Sequence, residues 1–306
     1  MNFFATTHLK PNTYQPYNRK LEKWLRLFSE SQSSLHFLYT HPNFSLVTLR
    51  KCLSEENVDT ATTITSYVKA ILAAAEHNPS LLSPSTPKVL DQCHERWIEL
   101  RNHFYLLSTE YRMQSQPAPT QQHKNAIDYV TLCKIRDELP QDSIAKLLIS
   151  FYTFIPPVRV DYFATEIISF DQTPTQPNYI CVSPERSYMT LTDFKTSAVY
   201  KSIQQELPPA LHSLLSHSLS LSPRRFLFVN RFGHPFSRNN FSIWAANLLE
   251  KTLHYPFTLT IFRHLYISHL DPTMTPAELQ KISLKMGHSL TQQMLYRWKH
   301  NPNMEE

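Results

Sequence analysis

Glycine occurs only twice in the 306 residues of this chain. Each one therefore marks a place where the backbone needs a conformation that other residues resist. Gly233, beside His234, reads as a turn. Gly287 follows a run opening on Thr275-Pro276-Ala277-Glu278, a capping box with proline at the first helical position. That pattern predicts a helix running to Met286, with Gly287 as its left-handed terminator. His288 and Ser289 come directly after. Ser289-Leu290-Thr291-Gln292 has the form of a second capping box, which places Tyr296 about two turns into the next helix.

The rest of the chain reads as two parts. Over the first ~115 residues, apolar stripes at helical spacing predict four helices. One carries Leu21, Trp24, Leu25 and Phe28, and the others fall near residues 46–52, 61–76 and 89–111. Asn-Pro and Ser-Pro steps break them apart. Residues 116–124 are polar and proline-containing and suit a linker. The remainder, 125–306, is mixed. A helix over 142–155 stops at Pro156-Pro157. Strand-like runs follow at 165–170, 179–182, 188–194, 200–207 and 226–229, with helices beginning near Pro208-Pro209 and at Ser237. The expected fold class is mostly α with a small antiparallel β-sheet (α+β).

Composition narrows the function. A net charge of +5 is compatible with a nucleic-acid partner but does not require one. The four cysteines are far apart and form no CxxC pair, so neither a disulfide framework nor a zinc site is expected. The histidines show no metal spacing. No apolar run reaches membrane-spanning length, and the first residues lack the order of a signal peptide. A soluble, intracellular protein without membrane, metal or small-molecule cofactor is the expectation, nuclear where the host is eukaryotic.

The chemistry concentrates late in the chain. Arg263 lies in the apolar run Ile261-Phe262-Arg263-His264-Leu265, where a charged side chain needs a partner. Breaking a phosphodiester requires a nucleophile, cations for the phosphate oxygens and an acid for the leaving oxygen. Arginine's planar fork suits the second role. Tyrosine, weak at its usual pKa of ~10, becomes useful beside cations. Taken alone, Tyr296 is an aromatic on an amphipathic helix, Arg159 an ion-pair partner of Asp161, Lys195 a solvated turn lysine and Thr260 an N-cap. Arg224, Arg225, Arg231 and Arg238 flank a short strand and a turn, and are candidates for DNA-backbone contacts.

Four stretches, in order, resemble the catalytic domain of tyrosine recombinases, the phage-integrase family. They are residues 152–162 with Arg159, Leu191-Thr192-Asp193-Phe194-Lys195-Thr196-Ser197, Thr260-Ile261-Phe262-Arg263-His264 with His269, and Met286-Gly287-His288-Ser289 with Tyr296. The Pro-Pro-x-Arg-x-Asp-Tyr and Phe-Lys-Thr-Ser forms look most like integrases of eukaryotic large DNA viruses and related mobile elements. The resemblance implies that Arg159 and Arg263 clamp the scissile phosphate and that Lys195 protonates the leaving 5′ oxygen. It further implies that His288 hydrogen-bonds a non-bridging oxygen or assists proton transfer, and that Tyr296 forms a 3′-phosphotyrosine. Thr260 stands where the family often has His or Lys. The His288–Tyr296 interval is one residue shorter than usual, and Pro156-Pro157 replaces a common glycine.

By the same resemblance, residues 1–115 would be the helical core-binding domain and 125–306 the catalytic domain. The implied partner is double-stranded DNA, bound by a homotetramer on two sites. Two other readings stay open. One is a catalytically inactive DNA-binding relative; the other is a type IB topoisomerase or telomere-resolvase-like enzyme.

Overall fold

The computed structural model describes residues 3–4, 11–30, 32–82, 85–114 and 127–298. The chain divides into two compact units, Met1–Gln114 and Ser115–Glu306. The expected linker, 116–124, lies outside the described residues.

The first unit is helical: α1 (Pro11–Leu25), α2 (Leu35–Thr40), α3 (Pro42–Glu55), α4 (Ala61–His77) and α5 (Pro87–Gln114). The short α2 has no counterpart in the sequence reading. Ser34 caps it, and Thr60 caps α4, each side chain accepting a backbone N–H from the first turn. The core is organised by two fully buried tryptophans, Trp24 and Trp97, packed edge to face at 5.8 Å. Their indole N–H groups donate to Ser45 O and Tyr39 O, so neither polar handle is left unsatisfied.

The second unit holds α6 (Tyr129–Glu138) and α7 (Ile144–Thr153), then strands β1 (Glu166–Ser169), β2 (Asn178–Val182) and β3 (Ser187–Leu191). The short α8 (Ser197–Tyr200) and β4 (Ile203–Glu206) follow. Then come α9 (Pro209–Leu221), α10 (Arg238–Leu253), α11 (Leu259–His269), α12 (Pro276–Lys285) and α13 (Leu290–Met294). α7 is buried over Leu147–Thr153 and packs against α6, α9, α10 and α11. It ends at Thr153 because Pro156 and Pro157 follow.

Where an antiparallel sheet is expected from the sequence, the structure has a mixed one, ordered β1-β2-β3-β4. β2, β3 and β4 pair antiparallel, but β1 runs parallel to β2. The return segment, 170–177, is shorter than the usual crossover between parallel strands. Glu166, at the start of β1, makes it possible. Its buried carboxylate accepts the N–H groups of Thr175 (2.7 Å) and Gln176 (3.0 Å), drawing the chain back to where β1 began. Burial pushes the pKa of Glu166 up, but hydrogen bonds from Thr175, Arg225 and Gln176 outweigh it and hold the carboxyl below its ordinary value. The expected strand at 226–229 shrinks to a single bridge, Phe226 with Glu166.

No helix among the described residues is long and apolar enough to cross a membrane, and none of their His, Cys, Asp and Glu side chains form a metal-holding group.

Candidate active site

Arg263 sits in the middle of α11 and is only 1% exposed. Its Nη1 donates to Pro157 O (2.6 Å) and Met286 O (3.3 Å), and its Nη2 donates to His288 Nδ1 (2.9 Å). The Pro156-Pro157 pair thus supplies a carbonyl to the buried guanidinium, a role the sequence did not announce. Burial lowers the pKa of Arg263; Tyr296 opposes this through its charge and a side-chain hydrogen bond, while the charge of Arg159 lowers it further. The guanidinium carbon lies 4.8 Å from the centre of the Tyr296 ring.

His288 reaches this place through the helix end before it. α12 opens with the predicted capping box, Thr275 with Glu278. It closes with Gly287 at φ +64°, Gly287 N–H donating to Leu284 O and His288 N–H to Ser283 O. These are the two bonds of a Schellman motif, so the His288 backbone is fixed by local chemistry. Its ring is buried. Because Arg263 can only donate, Nδ1 must accept, and the neutral ring carries its proton on Nε2. That Nε2 is buried without a partner, as is Arg263 Nε. Burial, then the charges of Arg263 and Arg159, push the pKa of His288 down to about 3.

Tyr296 is not on a helix. α13 stops at Met294, and Tyr296 lies in the turn beyond, its N–H bonded to Gln293 O. The bond is of the tighter i→i+3 kind, which rotates side chains further per residue than an α-helix. Tertiary contacts set this ending. Tyr296 O accepts from His264 Nδ1 (2.8 Å), Trp298 N–H donates to Ser268 Oγ (2.8 Å), and Trp298 stacks on His264. The Tyr296 ring centre is 5.6 Å from that of His288.

Arg159 follows Val158 in the loop after α7. Its N–H donates to Asp161 Oδ2 (3.1 Å), and its C=O accepts from the buried Tyr152 hydroxyl. An Arg159–Asp161 ion pair does not form. Asp161 Oδ1 is occupied by Arg238 Nη1 at 2.8 Å. Among the described residues the Arg159 guanidinium makes no ion pair, although its charge is felt by both Arg263 and His288.

Lys195 lies between β3 and β4, as expected, in a connection long enough to include α8. Its side chain is exposed, but its neighbours are tied to the cluster. Thr196 Oγ1 donates to Gly287 O, and a Cβ at Gly287 would stand 3.1 Å from Phe194 and from Ile203. Thr260 is exposed one turn before Arg263 and is not the N-cap, which is Thr258. Among the described residues it makes no hydrogen bond to the cluster.

The four remaining arginines separate. Arg224 is half-buried and donates to the carbonyls of Ser218, Ser222 and Leu227, so it holds the end of α9. Arg225 pairs with Glu166 and donates to Thr175. Arg238 pairs with Asp161. Arg231 is exposed at the tip of the Asn230–His234 turn, over the Phe232 ring, where Gly233 takes φ +77°.

Arg263, His288 and Tyr296 thus meet at one place, and the charge of Arg159 acts on the first two. The fold is similar to that of XerA recombinase, seen in its crystal structure. Identity is 12%, the likeness covers 96% of this chain and 89% of that one, and the TM-score is 0.43. No family model and no curated protein matches. A likeness that distant concerns the path of the chain, and the site rests on its own geometry.

Proposed function

We propose that this protein cleaves and rejoins strands of double-stranded DNA through Tyr296, as a site-specific recombinase or integrase. The observation that carries the reading is a set of donors without acceptors beside a tyrosine. Arg263 Nε and His288 Nε2 are buried and unpartnered, and the Arg159 guanidinium stands free of the carboxylate nearest it in sequence. Leaving a buried donor unsatisfied costs about 1–3 kcal/mol. A phosphodiester, an anion with several acceptor oxygens, supplies acceptors for donors of this kind.

In the step this supports, the Tyr296 phenol oxygen attacks phosphorus and its proton leaves to solvent. The phosphorus–O5′ bond breaks, and Lys195 gives the departing oxygen a proton. The products are a 3′-phosphotyrosyl strand and a free 5′-hydroxyl. One phosphorus–oxygen bond forms for each one broken, so a 5′-hydroxyl can reverse the step without an energy source. Arg159 and Arg263 offset the charge that builds on the phosphate oxygens. His288, holding its proton on Nε2, donates to a non-bridging oxygen rather than acting as base. Thr260, exposed on α11, takes no part in proton transfer. Residues 1–115 serve as the DNA-clamping domain and 125–306 as the catalytic one, four copies acting on two duplexes. Arg231 contacts the DNA backbone.

The test uses a pool of nicked duplexes of randomised sequence, in which the released fragment diffuses away. A protein–DNA adduct that survives denaturant is expected with the wild-type chain and absent with Tyr296→Phe. Binding without any adduct would establish an inactive DNA-binding relative. Relaxation of supercoiled DNA without sequence preference would establish a topoisomerase.

A further inference from the structure

The two outlying cations, Arg159 and Lys195, come from separate segments, and a single side chain joins those segments. Asn178 is the first residue of β2 and is 3% exposed. Its Nδ2 donates to Asp161 O (3.0 Å) and Asp193 O (2.9 Å). Its Oδ1 accepts from Thr192 N–H (2.9 Å) and Asp193 N–H (2.8 Å). A carboxamide offers two donors and two acceptor positions, and here all four are filled. Only one orientation of the amide does this, since each carbonyl needs a donor and each N–H an acceptor. Three of the four bonds go to the root of the β3–β4 connection, two residues before Lys195. The fourth goes to the carbonyl of Asp161, whose carboxylate holds the Arg159 backbone.

We propose that Asn178 is a positioning residue for Lys195. It sets the height and direction of the connection against the Arg159 loop, so that the lysine meets the leaving oxygen of a phosphate held by the arginines. On its other side the connection is pinned by Thr196 to Gly287 O and by Phe194 against Gly287. The exposed Lys195 therefore springs from a backbone fastened on both sides of it, at Asp193 and at Thr196. Aspartate at 178 would keep the two acceptor bonds and lose both donors, setting an anion against two carbonyls. Alanine would lose all four bonds without adding charge.

The inference rests on the strand-cleavage reading, and the test tells the two apart. A duplex recovered as an adduct is made in two forms, one with the ordinary 5′ oxygen at the scissile bond and one with sulfur there. A thiol, with a pKa near ~8.5, leaves as thiolate and needs no proton from Lys195. On the oxygen substrate Asn178→Asp should form adduct about 10- to 100-fold more slowly, part of what a positioned acid contributes. On the sulfur substrate it should return to within about threefold of wild type. Lys195→Ala should behave alike, and Asn178→Asp/Lys195→Ala should be no slower than Lys195→Ala. Arg159→Ala should stay slow on both forms. Asn178→Ala carries the same expectation if the aspartate variant does not melt cooperatively. Equal slowing on both substrates, or no slowing, overturns the role given to Asn178. Absence of adduct with the wild-type chain overturns the strand-cleavage reading, and this inference with it.

Discussion

Replacing Gly287 by alanine separates two costs that a second glycine allows to be measured. Gly233 and Gly287 both have positive φ, +77° and +64°. Alanine at either position meets the left-handed penalty of about 1–2 kcal/mol, partly offset by about 0.4–1 kcal/mol of lost freedom in the unfolded chain. At Gly233 nothing lies within 4 Å of the new methyl. At Gly287 it would stand 3.1 Å from Phe194 Cε2 and Ile203 Cδ1, both buried and unable to swing out. Overfilling such a core costs roughly 1–3 kcal/mol more. For a unit of this size that corresponds to an extra fall in Tm of roughly 2–12 °C. Thermal melts of Gly233→Ala and Gly287→Ala should therefore differ by that amount, with Gly287→Ala the lower. Because Phe194 and Thr196 flank Lys195, Gly287→Ala should also slow adduct formation while Gly233→Ala leaves it unchanged. Equal losses of Tm in the two variants would refute the close approach of Gly287 to the β3–β4 connection.

The ionisation of His288 fixes a pH dependence. Its folded pKa of about 3 lies below the unfolded value near ~6.5, so between them the unfolded chain binds more protons. Stability should fall as pH drops from about 6.5 toward 3, and urea midpoints should decline less steeply over that window in His288→Gln. An identical decline in both chains would contradict the buried, neutral ring. Arg224→Ala should lower stability by about 1–3 kcal/mol through the carbonyls left at the end of α9, without changing the salt dependence of DNA binding. Arg231→Ala should leave stability alone and reduce the slope of log affinity against log salt by about 1. Those two outcomes exchanged would reverse the assignment. Arg238→Ala should free Asp161 to capture Arg159, slowing adduct formation with DNA affinity held. It should destabilise by roughly 1–3 kcal/mol, less than a fully buried pair because Arg238 is partly exposed. A lost salt-slope contribution with normal cleavage would instead make Arg238 a DNA contact.

Local chemistry made much of this protein legible. The capping box at Thr275, the left-handed Gly287 and the helix stop before Pro156-Pro157 depend on neighbours within a few residues, and the structure contains all three. Arg263 announced its need for partners by lying in an apolar run. What those partners are could not be read, because Pro157 and Met286 are remote in sequence and contribute backbone carbonyls, which every residue possesses. The parallel β1–β2 pairing escaped for a similar reason. It depends on Glu166 gathering the N–H groups of Thr175 and Gln176, and a glutamate in a strand carries no mark of that task.

Tyr296 shows where the division falls. Helical periodicity and the Ser289 cap place it on a helix, and the cap is present. Yet the helix ends two residues early, because the bond from His264 to Tyr296 O and the bond from Trp298 N–H to Ser268 Oγ favour a tighter turn over a final stretch of α-helix. Arg238 is the converse case: the sequence marks it as an arginine beside a turn, and only the fold brings the buried Asp161 to it. Residue order alone carries the capped helix starts, the Gly287 terminator and the residue types of the site, since capping, φ preference and charge act over one or two turns; it does not carry where α13 ends. The tertiary structure alone decided which of those residues share a partner and which remain free. Hydrogen bonds between distant segments form only once the chain has packed, and they leave Arg263 Nε and His288 Nε2 buried without a partner.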